Sequence, residues 1–146
     1  MLKLWLLSLA ICFAVHGEAF SLQIAGAVAG QTAHLKRAAF VFRSQGCADP
    51  AKVEVTGKAE GRVNGQRRTL PLRIAAASTP GVFAVNREWP ADGVWIINLA
   101  AKCAAASAGA LVVPGERGPN REASTFLPQA ATEADIDAAL RALGAK

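Results

Sequence analysis

The residues best suited to chemistry in this sequence are cationic side chains on one predicted β-hairpin. The stretch "VEVTGKAEGRVNGQRRTLPLRIA" contains Asn64-Gly65, a pair that favours a two-residue type I′ turn. Closing the hairpin there places Arg62 directly opposite Arg67, although like charges that face each other across two strands repel. Because arginine presents forked donors to carboxylate and phosphate, one interpretation is an anion-binding hairpin tip made of Lys58, Arg62, Arg67, Arg68 and Arg73. The plainer interpretation, which we favour, is a solvated tip where Glu60, diagonal to Arg67, relieves the repulsion.

Other reactive side chains are sparse. Copper and zinc sites need several His, Cys or Met ligands, and beyond residue 19 the chain has only His34, Cys47 and Cys103. No EF-hand spacing of carboxylates occurs either. We therefore expect no metal site and no cofactor.

Catalytic groups are equally hard to find. No serine lies in a Gly-x-Ser-x-Gly elbow, the arrangement that places a nucleophile beside its base in many hydrolases. The predicted hairpins show no facing carboxylate pair of the kind a glycosidase uses. We expect no catalytic residue and predict that the protein is not an enzyme.

The first nineteen residues have the pattern of an export signal. A positive start at Lys3 precedes twelve residues of apolar core, Leu4–Val15, whereas a membrane-spanning helix needs about 20. Gly17 and Ala19 supply the small residues that a signal peptidase reads. The sequence predicts a cleavable signal peptide over residues 1–19, with cleavage after Gly17 as the alternative, and no transmembrane anchor afterwards.

The two remaining cysteines predict a disulfide. An even number of cysteines in an exported chain favours pairing, because disulfides persist in oxidising compartments. We expect a bond between Cys47 and Cys103 and a periplasmic or secreted protein. The net charge of +5 is mild and lacks the Lys/Arg block of nucleic-acid binders, so we expect no nucleic-acid partner.

Most of the chain has a strand-like pattern. Short apolar or alternating runs recur about every ten residues between Gly, Pro, Asn and Asp, which is typical of a sandwich or barrel. Three such runs are Ala38–Arg43, Ala110–Pro114 and Arg121–Pro128. We predict an all-β fold, with residues 20–128 forming one immunoglobulin-like antiparallel sandwich of about seven strands.

The first hairpin has a well-specified register. Pairing outward from Val63 and Gln66 puts apolar residues on one face and polar ones on the other, and a one-residue slip would destroy this separation. We extend the pairing to Val55 with Ile74 and Val53 with Ala76. Pro71 lacks an N–H, so we predict no continuous hydrogen-bond ladder on its far side.

A second hairpin is predicted around "EWPADGVWIINLAAKC". With Gly93 in the left-handed conformation, Trp89 faces Trp95, and Phe83 faces Ala101 further along. In this interpretation the tryptophans pack, the glycine turns the chain and Cys103 forms the disulfide.

The C-terminus changes to a helical period. Thr132 is a predicted N-cap with Asp135 three residues on, close to a capping box. Ile136, Ala139, Leu140 and Leu143 form one apolar stripe, and Gly144 ends it. We predict that residues 129–146 hold a helix packed on the sandwich or over a strand edge, in preference to a partner's groove.

One region resembles a known family. The segment Leu70–Cys103, with "PGVFAV" followed by a Pro/Gly turn and "GVWIINL", looks like part of the bacterial immunoglobulin-like accessory domains of the FixH and YtkA kind. The resemblance implies a sandwich fold and a supporting role in envelope complexes, and it carries over no functional residue. We therefore expect a monomeric, non-catalytic binding or accessory module whose partner is an unknown protein or an acidic envelope component. The alternatives are a small-ligand or metal carrier and a hydrolase without a recognisable motif.

Overall fold

The structure is a computed structural model that describes residues 17–25 and 37–145. These residues form nine strands, a short 3-10 helix and one α-helix. The strands are β1 (Ser21–Ile24), β2 (Phe40–Gln45), β3 (Glu54–Val63), β4 (Gln66–Leu72), β5 (Ile74–Ala76), β6 (Val82–Val85), β7 (Val94–Cys103), β8 (Ala106–Gly115) and β9 (Gly118–Leu127). The 3-10 helix covers Pro50–Lys52, and the α-helix α1 covers Glu133–Gly144.

Two antiparallel sheets face each other across one apolar interior. The four-stranded sheet has the order β1-β2-β6-β5, and the five-stranded sheet has the order β4-β3-β7-β8-β9. Side chains from both sheets meet between them, among them Phe42, Val85, Ile97 and Leu99. The predicted all-β sandwich with one C-terminal helix and one disulfide is confirmed, with nine strands in the described residues instead of about seven.

The N-terminal signal prediction falls mostly outside the described residues, which begin at Gly17. Phe20 is buried in the main core. The carbonyls of Glu18 and Ala19 lie so close to Gly46 that a Cβ there would approach both oxygens to 2.7 Å. Phe20 is therefore part of the packed domain, whereas Gly17, Glu18 and Ala19 are exposed. No helix among the described residues is both long enough and apolar enough to span a membrane.

The β3–β4 hairpin has the predicted register over most of its length. Val63 pairs with Gln66 and Gly57 with Leu72, and the turn residues Asn64 and Gly65 have φ values of 50° and 76°. This is the left-handed region that a type I′ turn requires.

Beyond Leu72 the predicted pairing is wrong. Ile74–Ala76 does not continue along β3, because it forms β5 and pairs with β6 of the other sheet. Apolar and polar residues keep alternating from β4 to β5 although the chain changes sheet, because both strands point their apolar side chains into the interior between the sheets. The prediction for Pro71 is confirmed for residues 17–25 and 37–145, in which β4 is an edge strand of its sheet.

The predicted second hairpin is also wrong. β6 pairs with β2 and β5, whereas β7 pairs with β3 and β8, so residues 86–93 connect the two sheets. Trp89 and Trp95 are nonetheless buried in the common core. Inward-facing parity cannot distinguish two strands bonded side by side from two strands facing each other across a sandwich.

The roles assigned to individual residues of that segment are confirmed. Gly93 has φ 84°, and Trp95 donates its Nε1–H to the carbonyl of Asp92 at 2.8 Å. Cys47 and Cys103 form the disulfide with Cα atoms 5.9 Å apart. Because Cys47 follows β2 and Cys103 ends β7, this bond joins the two sheets.

α1 covers the outer face of the five-stranded sheet. Its capping box is complete, with Thr132 accepting from the Asp135 N–H and Asp135 accepting from the Thr132 N–H. Ile136 and Leu140 pack against Ile96 and Leu111 of the sheet. The predicted helix and its docking on the sandwich are therefore confirmed.

Candidate binding surface on the β3–β4 hairpin

Alternate residues of the β3–β4 hairpin share the face on which α1 lies. Glu60 pairs with Thr69, and Arg62 pairs with Arg67, as the sequence predicted. Glu60 is only 3% exposed, which makes it a carboxylate that needs partners inside the protein, since burying an unpaired charge is costly.

Arg67 is the centre of an ionic cluster that we call the Arg67 latch, consisting of Arg67, Glu60, Glu133 and Asp137. Its Nη2 lies 3.1 Å from the Glu60 Oε2 and 3.5 Å from the Glu133 Oε2, and its Nη1 lies 2.7 Å from the Asp137 Oδ1. Thr69 donates its hydroxyl to the same Glu60 oxygen at 2.6 Å. The latch joins two adjacent strands to α1.

The sequence predicted half of this latch. The relief of repulsion by Glu60 follows from the hairpin register, and the structure confirms it. Glu133 and Asp137 were missed because they follow Arg67 by 66 and 70 positions. Their spacing of four residues on one flank of a predicted helix was the available signal, but it did not say which strand the flank would meet.

The other predicted cations are not gathered into one cluster. Lys58 and Arg62 point to the α1 side of β3, whereas Arg68 pairs with Gly61 on the alternate face. Arg73 follows β4, and its Nε lies 3.6 Å from the Glu88 Oε1. Of the five predicted residues, Arg67 is held in the latch and Arg73 forms one ion pair at the surface. The remaining three cations are exposed and separate from one another: Lys58, Arg62 and Arg68.

The charge on those three cations is uncompensated locally. Within residues 17–25 and 37–145, no ion pair includes Lys58, Arg62 or Arg68. The carboxylates of the latch are already bonded to Arg67. Anion binding by the hairpin stays a prediction. The residues that the geometry leaves for it are Lys58 and Arg62 on the α1 side and Arg68 on the alternate face.

The remaining reactive residues have ordinary surroundings where they can be described. Ser124 donates its hydroxyl to the Asn120 carbonyl at 2.6 Å and accepts from the Val113 N–H at 3.0 Å. His34 lies outside the described residues. Among those that are described, no three His, Cys, Asp or Glu side chains come together as a metal site would require.

A groove that sequence reasoning missed lies between β1 and β9. It has a volume of about 420 Å³ and is lined by Ser21, Leu22, Gln23, Ile24, Arg121 and Phe126. Phe126 pairs with Ala110, which is buried in the main core. Phe126 itself is 44% exposed, and β9 is the last strand in the order β4-β3-β7-β8-β9.

Comparisons with known proteins give no assignment: no protein-family model, no curated protein and no solved structure matches this chain significantly. The resemblance of Leu70–Cys103 to FixH-like and YtkA-like domains stays a prediction.

Proposed function

We propose that this protein is an exported, non-catalytic binding or accessory module of a bacterial cell envelope or the extracellular space. The observation that carries the proposal is the charge balance of the β3–β4 hairpin. Lys58, Arg62 and Arg68 project into solvent, while the nearby carboxylates Glu60, Glu133 and Asp137 are bonded to Arg67. A rigid hairpin that presents uncompensated cations suits a partner rich in carboxylate or phosphate.

Export is supported by two independent features. The disulfide between Cys47 and Cys103 is of a kind that persists in oxidising compartments, and residues 1–19 have the composition of a cleavable signal. Intact-mass measurement of the protein purified from its host would test this part of the proposal. A mass equal to the full chain would contradict it.

The experiment on binding uses a photo-crosslinking residue in place of Gln66, which is exposed and lies in β4 next to the hairpin turn. The wild type and Arg62→Glu/Arg68→Glu are compared in the native host. Arg67 is left unchanged because its loss would disturb α1 as well as the surface charge. We expect the crosslinked product to fall at least about tenfold in the double variant, since two attractive charges become repulsive.

The matched control is Lys52→Glu/Arg117→Glu. It makes the same change in net charge at two exposed positions outside β3, β4 and α1. Equal crosslinking by the hairpin variant and the wild type would contradict the proposal, and equal losses in both variants would show an effect of net charge alone.

A further inference from the structure

The groove between β1 and β9 offers a second surface, separate from the cationic hairpin. β1 is a terminal strand in the order β1-β2-β6-β5, so within the described residues it has a paired side and an open side. Four of its residues, Ser21 to Ile24, line the groove. The open side of β1 is therefore the floor of a cleft, and not a flat part of the surface.

The register of β1 identifies the backbone groups that face this cleft. Ala25 donates its N–H to the Val41 carbonyl at 2.9 Å, and residues of an antiparallel pair alternate between bonded and non-bonded positions. Gln23 and Ser21 therefore also bond to β2, whereas the N–H and C=O groups of Leu22 and Ile24 point away from it. These four groups repeat every second residue, a spacing that another extended chain matches.

Two side chains on the opposite wall give the cleft its chemistry. Phe126 is the only exposed large apolar side chain among the described residues. Arg121 is exposed beside it, and no ion pair in the described part of the chain includes it. An apolar wall and an unpaired cation next to a free strand edge fit an extended segment that carries both an apolar and an acidic side chain.

We propose that β1 receives an acidic, extended peptide segment of another protein by β-strand addition. The main-chain groups of Leu22 and Ile24 would bond to the segment, Phe126 would cover an apolar side chain, and Arg121 would pair with a carboxylate. This is a known mode of peptide recognition, in which main-chain bonds give affinity and side-chain pockets give specificity. Pairing with a second copy is disfavoured by the net charge of +5 on each chain.

Hydrogen exchange of the free protein tests the open edge first. The amides of Leu22 and Ile24 should exchange much faster than those of Gln23 and Ala25, which bond to β2. Equal protection of all four amides in the free protein would overturn the proposal, because it would show that this chain or a second copy already covers the edge.

Selection from a phage-displayed library of random decapeptides then tests the binding. Sequences enriched on the folded, disulfide-bonded protein should alternate apolar and polar residues and carry Asp or Glu. Arg121→Glu should weaken the binding of an enriched peptide about fivefold, because one exposed ion pair is lost and the reversed charge repels the carboxylate. Phe126→Ser should weaken it about tenfold, since an aromatic contact is lost. Binding should also protect the amides of Leu22 and Ile24.

The control is Arg117→Glu, which changes an exposed arginine at the turn between β8 and β9 and should leave binding unchanged. Failure to enrich any peptide would overturn the proposal, as would enriched peptides that bind all variants equally. None of these outcomes bears on the β3–β4 hairpin, so the two proposals can fail separately.

Discussion

Arg62 and Arg67 face each other across β3 and β4 but have opposite surroundings. Arg67 donates to carboxylates from β3 and α1, while Arg62 projects into solvent. The difference follows from Glu60, which is almost fully buried and needs a cation inside the fold. Arg67 therefore has a structural role, and Arg62 is the member of the pair that remains available to a partner.

Arg67→Met should destabilise the protein by about 2–4 kcal/mol, because it leaves the buried Glu60 carboxylate without its cation. Arg62→Met, made directly across the strand pair, should change stability by less than about 0.5 kcal/mol, as is usual for exposed positions. Urea unfolding of both variants measures the difference. Adding Glu60→Gln to Arg67→Met should recover part of the loss, and equal effects of the two methionine variants would contradict the latch.

Gly61 is the second residue whose identity the structure explains. A Cβ at this position would clash with the Trp95 ring, so the indole packs directly on the glycine backbone. Gly61→Ala should destabilise the protein by about 1–3 kcal/mol through overpacking. Gly144→Ala is the matched control, because a Cβ there meets nothing within 4 Å and alanine favours the helix. A Gly61 variant as stable as wild type in urea would contradict this packing.

At the scale of elements, the sequence predicted correctly those features that depend on residues close together in the chain. The Asn64-Gly65 turn fixed the β3–β4 register, and Thr132 with Asp135 fixed the start of α1. The errors at β5 and β6 concern which sheet a strand joins. Apolar parity is the same for a neighbour in one sheet and for a strand across the interior, so only three-dimensional packing could decide between them.

Prediction from sequence reached the same limit for the candidate surfaces. The opposed arginines and the relief by Glu60 came from the hairpin register alone. The helix carboxylates of the latch and the cleft beside β1 depend on how segments far apart in sequence come together; Ile24 and Phe126, for example, line the same cleft. No local pattern carries that information.

The capping box of α1 predicts that the stability of the protein depends on pH. Hydrogen bonds from the backbone and the side chain of Thr132 lower the pKa of Asp135 below its ordinary value of 3.8. Because the folded pKa is the lower one, the stabilisation is complete well above pH 3.8 and is lost as the pH falls through the folded pKa. The stability difference between wild type and Asp135→Asn should therefore shrink between pH 5 and about pH 2. Urea unfolding across this range measures it, and a constant difference would contradict the assignment.

At the scale of the whole molecule, the two ends of the five-stranded sheet are held by different means. Arg62 pairs with Val94 near the hairpin turn, and Cys103 lies at the other end of β7. The Arg67 latch and the apolar contacts of α1 hold the sheet from its outer face. The disulfide instead ties the far end of β7 to the chain that follows β2 in the opposite sheet.

Removing the disulfide should therefore weaken the packing of one sheet on the other. The bond joins residues 56 positions apart, and loop-closure entropy assigns about 4 kcal/mol to a loop of that length. We expect Cys47→Ala/Cys103→Ala to lose up to about that free energy of unfolding in urea, with the Arg67 latch and α1 still formed. Amide hydrogen exchange of the double variant distinguishes the region near the disulfide from the region under α1. The amides of β1, β2 and the end of β7 should lose protection first, while those of Ile96 and Leu111 under α1 stay protected. Uniform loss of protection would contradict this division and would show that the two sheets and the helix unfold as a single unit.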